Sequence, residues 1–334
     1  MGEVAIEVEG LSKGFGEIVA LDAVDFSVPE RSVFGLLGPN GAGKTTAVRI
    51  LATVLEPDAG RATVLGHDVV RDADAVRRRV GLAGQFAAVD PNLTGRENLR
   101  LIGRLTQMET PAIMPRAAEL LERFELTDAA DRPVRTYSGG MRRRLDVAAA
   151  LVPRPPVLFL DEPTTGLDLH SRNELWEMIR ELVGEGTTVL LTTQYLEEAD
   201  RLAQQVAVID HGHVIANDTP SVLKAQLGSS IAELGFEDEG RAERARVLLA
   251  PRFVGVDREV STVRLSTNEG PRVVIDVLRE LDAAGLSPES LGVHEPSLDD
   301  VFLSLTGRHA DGGEDTEGAS RSGRRGRRRR EGAA

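Results

Sequence analysis

Gly38-Pro39-Asn40-Gly41-Ala42-Gly43-Lys44-Thr45 decides how the rest of this chain is read. The stretch fits the phosphate-loop pattern G-x-x-x-x-G-K-[ST], and each residue type in it has a physical job. The glycines let successive backbone N–H groups close around phosphate oxygens. Lys44 supplies a fixed cation at the β- and γ-phosphates, and the Thr45 hydroxyl can ligate Mg²⁺. The flanks agree with this reading. Ser32-Val33-Phe34-Gly35-Leu36-Leu37 reads as a buried strand before the loop, and Thr46-Ala47-Val48-Arg49-Ile50-Leu51-Ala52 as the helix after it. The bland alternative is an ordinary tight strand–helix turn. Lysine is rare here, however, occurring otherwise only at Lys13 and Lys224, so a chance match to the pattern is improbable.

Composition narrows the class. A chain of 334 residues is long enough for one full α/β domain and a smaller one. Its 41% hydrophobic content suffices for a core, whereas 4% aromatics disfavours a nucleic-acid reader built on stacking platforms. A net charge of −13 argues against a polyanion-binding body. The absence of cysteine excludes disulfide and thiolate chemistry and fits a reducing cytosol. No apolar run approaches the ~18 residues of a membrane span. Met1-Gly2-Glu3-Val4-Ala5-Ile6 lacks the basic start and apolar stretch of a signal peptide.

Periodicity lays out the rest. Residues 4–9 and 19–28 alternate like strands of a small antiparallel sheet. Helices are expected over 95–107, 112–124 and 140–152. The apolar run Val157-Leu158-Phe159-Leu160 ends in Asp161-Glu162, and a helix from about 169 to 183 leads to the buried strand Thr188–Leu191. A helix over 195–203, a strand over 205–210 and a turn at Asp210-His211-Gly212 follow. Strands alternating with helices indicate a largely parallel sheet, with ligands at the carboxyl ends of its strands. Beyond about residue 228 the order becomes β-α-β-β-α-β, compatible with a small ferredoxin-like domain, and Leu298–Leu305 reads as a last helix. Residues 307–334 are acidic first, then seven of the ten residues Arg321–Arg330 are arginine; such a tail is expected to be disordered. The domains are therefore drawn as 1–228, 229–306 and the tail 307–334.

Five further segments come in fixed order after the phosphate loop: Gln85, Ser138-Gly139-Gly140-Met141, Asp161-Glu162, Thr165-Gly166-Leu167-Asp168 and Gln194. With them the chain resembles the ATP-binding-cassette ATPases over about residues 4–226. Within that family it most resembles the daunorubicin-resistance type of drug-export subunit. Gly84–Asp90, Tyr137–Leu145, Thr192–Asp200 and Leu298-Asp299-Asp300-Val301-Phe302-Leu303 carry that likeness. The fold implied is an α/β P-loop cassette with a mixed sheet and a helical subdomain, plus the small C-terminal α/β domain. Gly38 through Thr46 would hold ATP, with Thr45, Gln85 and Asp161 at Mg²⁺.

The residue chemistry suits those roles. Asp161 at a strand tip can take Mg²⁺ directly or through water. Glu162 beside it can orient and polarise the attacking water, as the family's catalytic glutamate does. Capping a strand before Pro163 is the plain alternative. Gln85 can touch both metal and water; by resemblance its loop also senses the membrane partner. Ser138 is a good helix N-cap, and Gly139 and Gly140 permit close backbone approach, so the helix start is an anion site. In the family it holds the γ-phosphate of the ATP bound by the other subunit, which implies a head-to-tail homodimer with two ATP molecules. Met141 stands where many members have glutamine. Phe15 lies where the family stacks an aromatic on adenine; an ordinary core phenylalanine is the alternative. Asp168 resembles the aspartate of the loop joining the two sites. Gln194 replaces the usual switch histidine. Its amide can donate one hydrogen bond but cannot carry charge, so turnover should lack a switch-histidine pH signature.

Other signals are weaker. Arg142, Arg143 and Arg144 read as a solvated helix face, with a nucleotide contact by one of them as the alternative. His211 and His213 read as turn residues rather than metal ligands. His67, His170 and His294 look isolated. The arginine tail is a solvated end or is drawn to anionic lipid headgroups. The reading is the ATP-hydrolysing subunit of an exporter: cytoplasmic, peripheral on the inner face of the cell membrane, driving a separate transmembrane permease, with no specific nucleic acid. Hydrophobic drugs or antibiotics are the expected cargo. Lipid or polysaccharide export, a soluble remodelling cassette ATPase and a nucleotide-binding regulator without turnover are the alternatives.

Overall fold

The computed structural model describes residues 3–84, 89–253, 255–267 and 272–306. The chain opens with two long strands, β1 (Val4–Phe15) and β2 (Ile18–Pro29), and then enters β3 (Val33–Leu37) and helix α1 (Lys44–Leu51). Strands β4 (Ala59–Val64) and β5 (His67–Asp68), helix α2 (Ala73–Arg77) and strand β6 (Val80–Ala83) follow. The helical region is α3 (Gly95–Leu105), α4 (Thr110–Arg123) and α5 (Gly139–Ala150). Next come β7 (Val157–Asp161), α6 (Leu169–Gly184), β8 (Thr188–Thr193), α7 (Leu196–Leu202), β9 (Gln205–Asp210), β10 (His213–Asp218) and α8 (Pro220–Ala225). The C-terminal part is β11 (Ser230–Gly235), α9 (Glu239–Leu249), β12 (Gly255–Glu259), β13 (Thr262–Thr267), α10 (Arg272–Ala283), β14 (Ser290–His294) and α11 (Leu298–Thr306).

Two sheets carry the cassette. The first, in the order β2-β1-β4-β5, is antiparallel. The second runs β10-β9-β3-β8-β7-β6, all parallel except β10 at the edge. Every residue of β3, β7 and β8 is buried. Central parallel strands covered on both faces need such continuous apolar runs. The register places Ala207, Leu36, Thr192 and Asp161 in one row across the sheet, so the carboxyl ends of β3, β7 and β8 share an edge.

Helices α3 to α6 close one core against this sheet around Leu120, Phe124, Leu145, Trp176 and Ile179. The start of α3 is pinned by a capping box between Thr94 and Glu97. A second core of β1, β2, β4 and α1 side chains lies between the two sheets, with Phe26 and Phe34 stacked at 5.2 Å. The turn foreseen at Asp210-His211-Gly212 joins β9 to β10. His211 and Gly212 both take positive φ (46° and 81°), as a two-residue hairpin turn of the I′ type requires.

The C-terminal strands form a third sheet in the order β12-β13-β11-β14, antiparallel throughout. With two crossover helices this is the ferredoxin-like arrangement, and it has its own core around Leu234, Leu249, Leu265, Val277 and Leu281. Helix α11 instead packs on the cassette: Leu298, Val301 and Phe302 join Leu37, Leu196, Ala199, Val206, Val208 and Leu223. A nine-residue helix is marginal alone. Burying three such side chains, at about 1.5–3 kcal/mol each, holds it in place. Among the described residues no helix is long and apolar enough to cross a membrane.

Candidate nucleotide site

The loop after β3 is built by its glycines. Gly38 has φ 154°, and a Cβ there would sit 2.1 Å from the Ile209 carbonyl oxygen. Gly43 has φ 112°, and its Cβ would sit 2.3 Å from the Ala20 carbonyl oxygen. Both the left-handed backbone and the close approach exclude a side chain at these two positions. Gly43 is the N-cap of α1 and offers no side-chain cap, so the first N–H groups of α1 stay available at the loop.

Lys44 lies under the loop with 4% exposure. Its Nζ donates to the Gly38 carbonyl at 2.7 Å and the Pro39 carbonyl at 3.0 Å, and lies 3.6 Å from Glu162 Oε1. Burial pushes the Lys44 ammonium below the usual lysine range, and the Glu162 and Asp161 carboxylates pull it part of the way back. Thr45 Oγ1 donates to Asp161 Oδ1 at 3.1 Å, pairing a hydroxyl with a carboxylate of the next motif. Thr192, at the end of β8, donates to the same Asp161 oxygen at 2.6 Å. Glu162 has φ 49°, a conformation costing about 1–3 kcal/mol for a non-glycine residue. The turn is held because the Glu162 N–H donates to Thr192 Oγ1 at 3.0 Å and to the Thr192 carbonyl at 3.1 Å. Lys44, Thr45, Asp161 and Glu162 therefore meet at one strand edge. The hydroxyl and carboxylate of Thr45 and Asp161 are hard oxygen donors of the kind Mg²⁺ takes.

Other expected site residues are placed around this edge. Phe15 ends β1 with 46% exposure and Lys13 Nζ 5.7 Å from its ring centre, so it is not a core phenylalanine. Ser138 caps α5, its Oγ accepting from the Met141 N–H at 3.2 Å; Ser138 and Gly139 are exposed. A Cβ on Gly140 would lie 3.0 Å from Ser171 Oγ, so this helix start abuts α6. Asp168 caps α6 and accepts from the Ser171 N–H at 2.8 Å, which holds its carboxyl below the usual range. Gln194 is half-buried directly after β8. Gln85 lies outside the described residues.

Three readings from the sequence are corrected. Only Arg142 of the arginine run is exposed. Arg144 pairs with Glu125 at 3.2 Å and with Glu174 at 3.7 Å. Arg143 turns inward, donating to the carbonyls of Gly84, Asp161 and Pro163 at 2.7, 2.9 and 2.8 Å. Carbonyls at the ends of parallel strands lack ladder partners, and a guanidinium is the one side chain with enough planar donors to satisfy three. His170 pairs with Glu174 at 3.0 Å, and His294 lies 3.3 Å from Asp300 Oδ2, with Glu233 close by. That last cluster is no open cation site. Arg264 donates to Glu233 Oε1 at 2.8 and 2.7 Å and approaches Asp300 Oδ1 at 3.8 Å, and Ser297 N–H and Oγ occupy Asp300 Oδ2.

Thr192 and Glu198 were not singled out individually in the sequence. Glu198 on α7 is fully buried and accepts from Trp176 Nε1 at 3.1 Å; burial pushes its carboxyl up. Only Thr192 had a signal, as a polar residue closing a buried strand.

A family model described as "ABC transporter" matches residues 21–165. The chain is 52% identical over 309 residues to the daunorubicin/doxorubicin resistance ATP-binding protein DrrA of Streptomyces peucetius, covering 92% of this chain and 94% of that one. It is 42% identical over 305 residues to the Nod factor export ATP-binding protein I of Ralstonia nicotianae, covering 91% and 94%. A solved dimeric ATP-binding cassette in a post-hydrolysis state, bound to ADP and Pi, superposes with TM-score 0.59 at 26% identity, over 64% of this chain and 98% of that one.

Proposed function

The chain belongs to the ABC transporter family as an ATP-binding protein, and from that premise we propose that it is the ATP-hydrolysing subunit of a drug exporter, acting as a homodimer on a separate membrane permease. The observation that carries the reading is the meeting of Lys44, Thr45, Asp161 and Glu162 at one strand edge while Ser138 and Gly139 stay exposed on the same chain.

In this reading the loop Gly38–Thr46 wraps the phosphates of ATP, and Lys44 exchanges Glu162 for the outer phosphates. Phe15 stacks on the base. Thr45 and Asp161 hold Mg²⁺, with Gln85 as a further ligand; bound there, the ion would neutralise charge developing on the transferred phosphoryl group. Glu162 accepts a hydrogen bond from the attacking water and polarises it. Thr192 keeps the Asp161–Glu162 turn in register. Gln194 donates a neutral hydrogen bond towards the γ-phosphate. The Ser138-Gly139-Gly140 helix start, exposed at Ser138 and Gly139, suits phosphate on a second copy, with Asp168 on the loop between the two sites, so each complete site takes two chains. The protein then works peripherally at the cytoplasmic face of the membrane. The DrrA similarity favours hydrophobic drugs as cargo. The similarity to a Nod factor export protein favours a second reading, export of a lipid or polysaccharide.

Turnover and light scattering test the two-chain site. Wild type should hydrolyse ATP, whereas Glu162→Gln should bind it, stall and double in mass. Adding Ser138→Arg to Glu162→Gln should leave ATP binding but keep the protein monomeric. A double variant that still dimerises in ATP would refute the placement of Ser138 across the interface.

A further inference from the structure

Arg143 sits one turn into α5, the helix whose start is Ser138-Gly139-Gly140. Its side chain points away from that start and into the strand ends. Nε donates to the Pro163 carbonyl at 2.8 Å, Nη1 to the Gly84 carbonyl at 2.7 Å and Nη2 to the Asp161 carbonyl at 2.9 Å. Nη1 also reaches Asp146 Oδ2, on the same helix, at 3.3 Å. The side chain is 13% exposed and that of Asp146 3% exposed. Burial lowers the guanidinium's pKa, and Asp146 and Asp161 raise it again. An arginine remains charged under such a shift.

These bonds go to the main chain on both sides of Glu162. The carbonyls of Asp161 and Pro163 bracket that residue, so the guanidinium fixes the peptide planes from which the Asp161 and Glu162 side chains project. The third carbonyl is that of Gly84, the residue directly after β6, the neighbour of β7. One rigid planar fork thus ties α5 to the turn that bears the Mg²⁺ carboxylate and the water-orienting carboxylate.

We infer that Arg143 is a positioning residue that transmits the seating of the Ser138 helix, on the nucleotide of one site, to Asp161 and Glu162 in the other site of the same chain. The inference rests on the two-chain reading above. A shift of α5 on docking moves the fork, and the fork moves the turn. A misplacement of about 1 Å at a reacting group costs about 100-fold in rate. Lysine cannot replace the fork, because an ammonium lacks its planar geometry.

The test compares Arg143→Lys and Arg143→Ala with Arg116→Ala in the full chain. Arg116, on α4, is a matched buried arginine, 8% exposed, whose 2.7 Å bond goes to the Leu151 carbonyl at the far end of α5 from Ser138. Thermal melts, equilibrium ATP binding, ATP-driven dimerisation by light scattering, and kcat against KM are measured for all three. The expected result is a kcat about 100-fold lower for both Arg143 variants, with ATP Kd and KM within about threefold of wild type and dimerisation retained. Arg116→Ala should lose melting temperature but keep its kcat. Equal loss of kcat in Arg116→Ala and the Arg143 variants at equal destabilisation would overturn the inference. So would near-normal kcat in Arg143→Lys, the variant that reports should Arg143→Ala not fold. Failure of the two-chain reading shows separately, as dimerisation of the Ser138→Arg/Glu162→Gln protein.

Discussion

Removing the Glu162 charge should tighten ATP binding by a predictable amount, apart from its effect on turnover. Lys44 Nζ is 3.6 Å from Glu162 Oε1, and both residues are buried. At an effective dielectric constant of about 20, two unit charges at that distance attract by about 4–5 kcal/mol. Much of this gross attraction offsets the cost of burying the two ions, so a net release of about 1–2 kcal/mol is the usable part. An incoming γ-phosphate must draw Lys44 off this carboxylate and then sit beside it. Glu162→Gln removes both penalties, and 1–2 kcal/mol is about 5–30-fold in Kd. The assay is equilibrium binding of ATP and ADP by calorimetry, in the Ser138→Arg background so that dimerisation does not add to the affinity, and with EDTA so that no divalent ion screens the charges. The gain should be larger for ATP than for ADP, which ends at the β-phosphate. Lys44 also loses the carboxylate that holds its pKa up against burial. Affinity in the variant should therefore fall at lower pH than in wild type as the ammonium deprotonates. An unchanged ATP Kd, or an equal gain for both nucleotides, would refute the reasoning.

Phe15→Ala should weaken ATP binding by about 1–3 kcal/mol, the usual worth of a base–aromatic stack, while the melting temperature barely moves because the ring is half exposed; a stability loss without an affinity loss would return Phe15 to a packing role. Gln194→His should add an inflection near pH ~6.5 to the pH–rate profile, and wild type should show no essential group there. Glu198→Gln should change the pH dependence of stability. The buried carboxyl is raised above its unfolded value, so its contribution is complete below the ordinary carboxylate range and is lost as pH rises through the folded pKa. Wild-type melting temperature should thus fall relative to Glu198→Gln from pH ~4 upward, and a constant difference across that range would be the wrong sign of behaviour for a buried acid.

The parts legible in sequence were those whose cause is local. The apolar runs of β3, β7 and β8, the glycines of the phosphate loop, the cap Ser138 and the His211-Gly212 turn each state their structure within a few residues. The βαββαβ order after residue 228 was readable for the same reason. Strand β4 was not, because Gly60 is shaped by its approach to the Gly10 backbone rather than by its own neighbours. Strand β10 is an edge with a half-exposed pattern, which periodicity barely marks. The inward turn of Arg143 depends on carbonyls 59, 18 and 20 positions away. A run of three arginines looks the same whether or not such acceptors wait beneath it. His294 likewise gains its partner only when α11 brings Asp300 onto the third sheet.

The docking of α11 has a practical corollary for anyone cutting the gene. The ferredoxin-like unit leaves the cassette through α8 and returns through α11, and these two helices share one apolar cluster with Leu37, Leu196 and Val208. The unit is thus sewn in at both ends, like a patch rather than a tail. A stop codon after residue 228 would tear away the second seam and leave that cluster open to water. An internal excision that retains Leu298–Thr306 would remove the patch and keep the stitch.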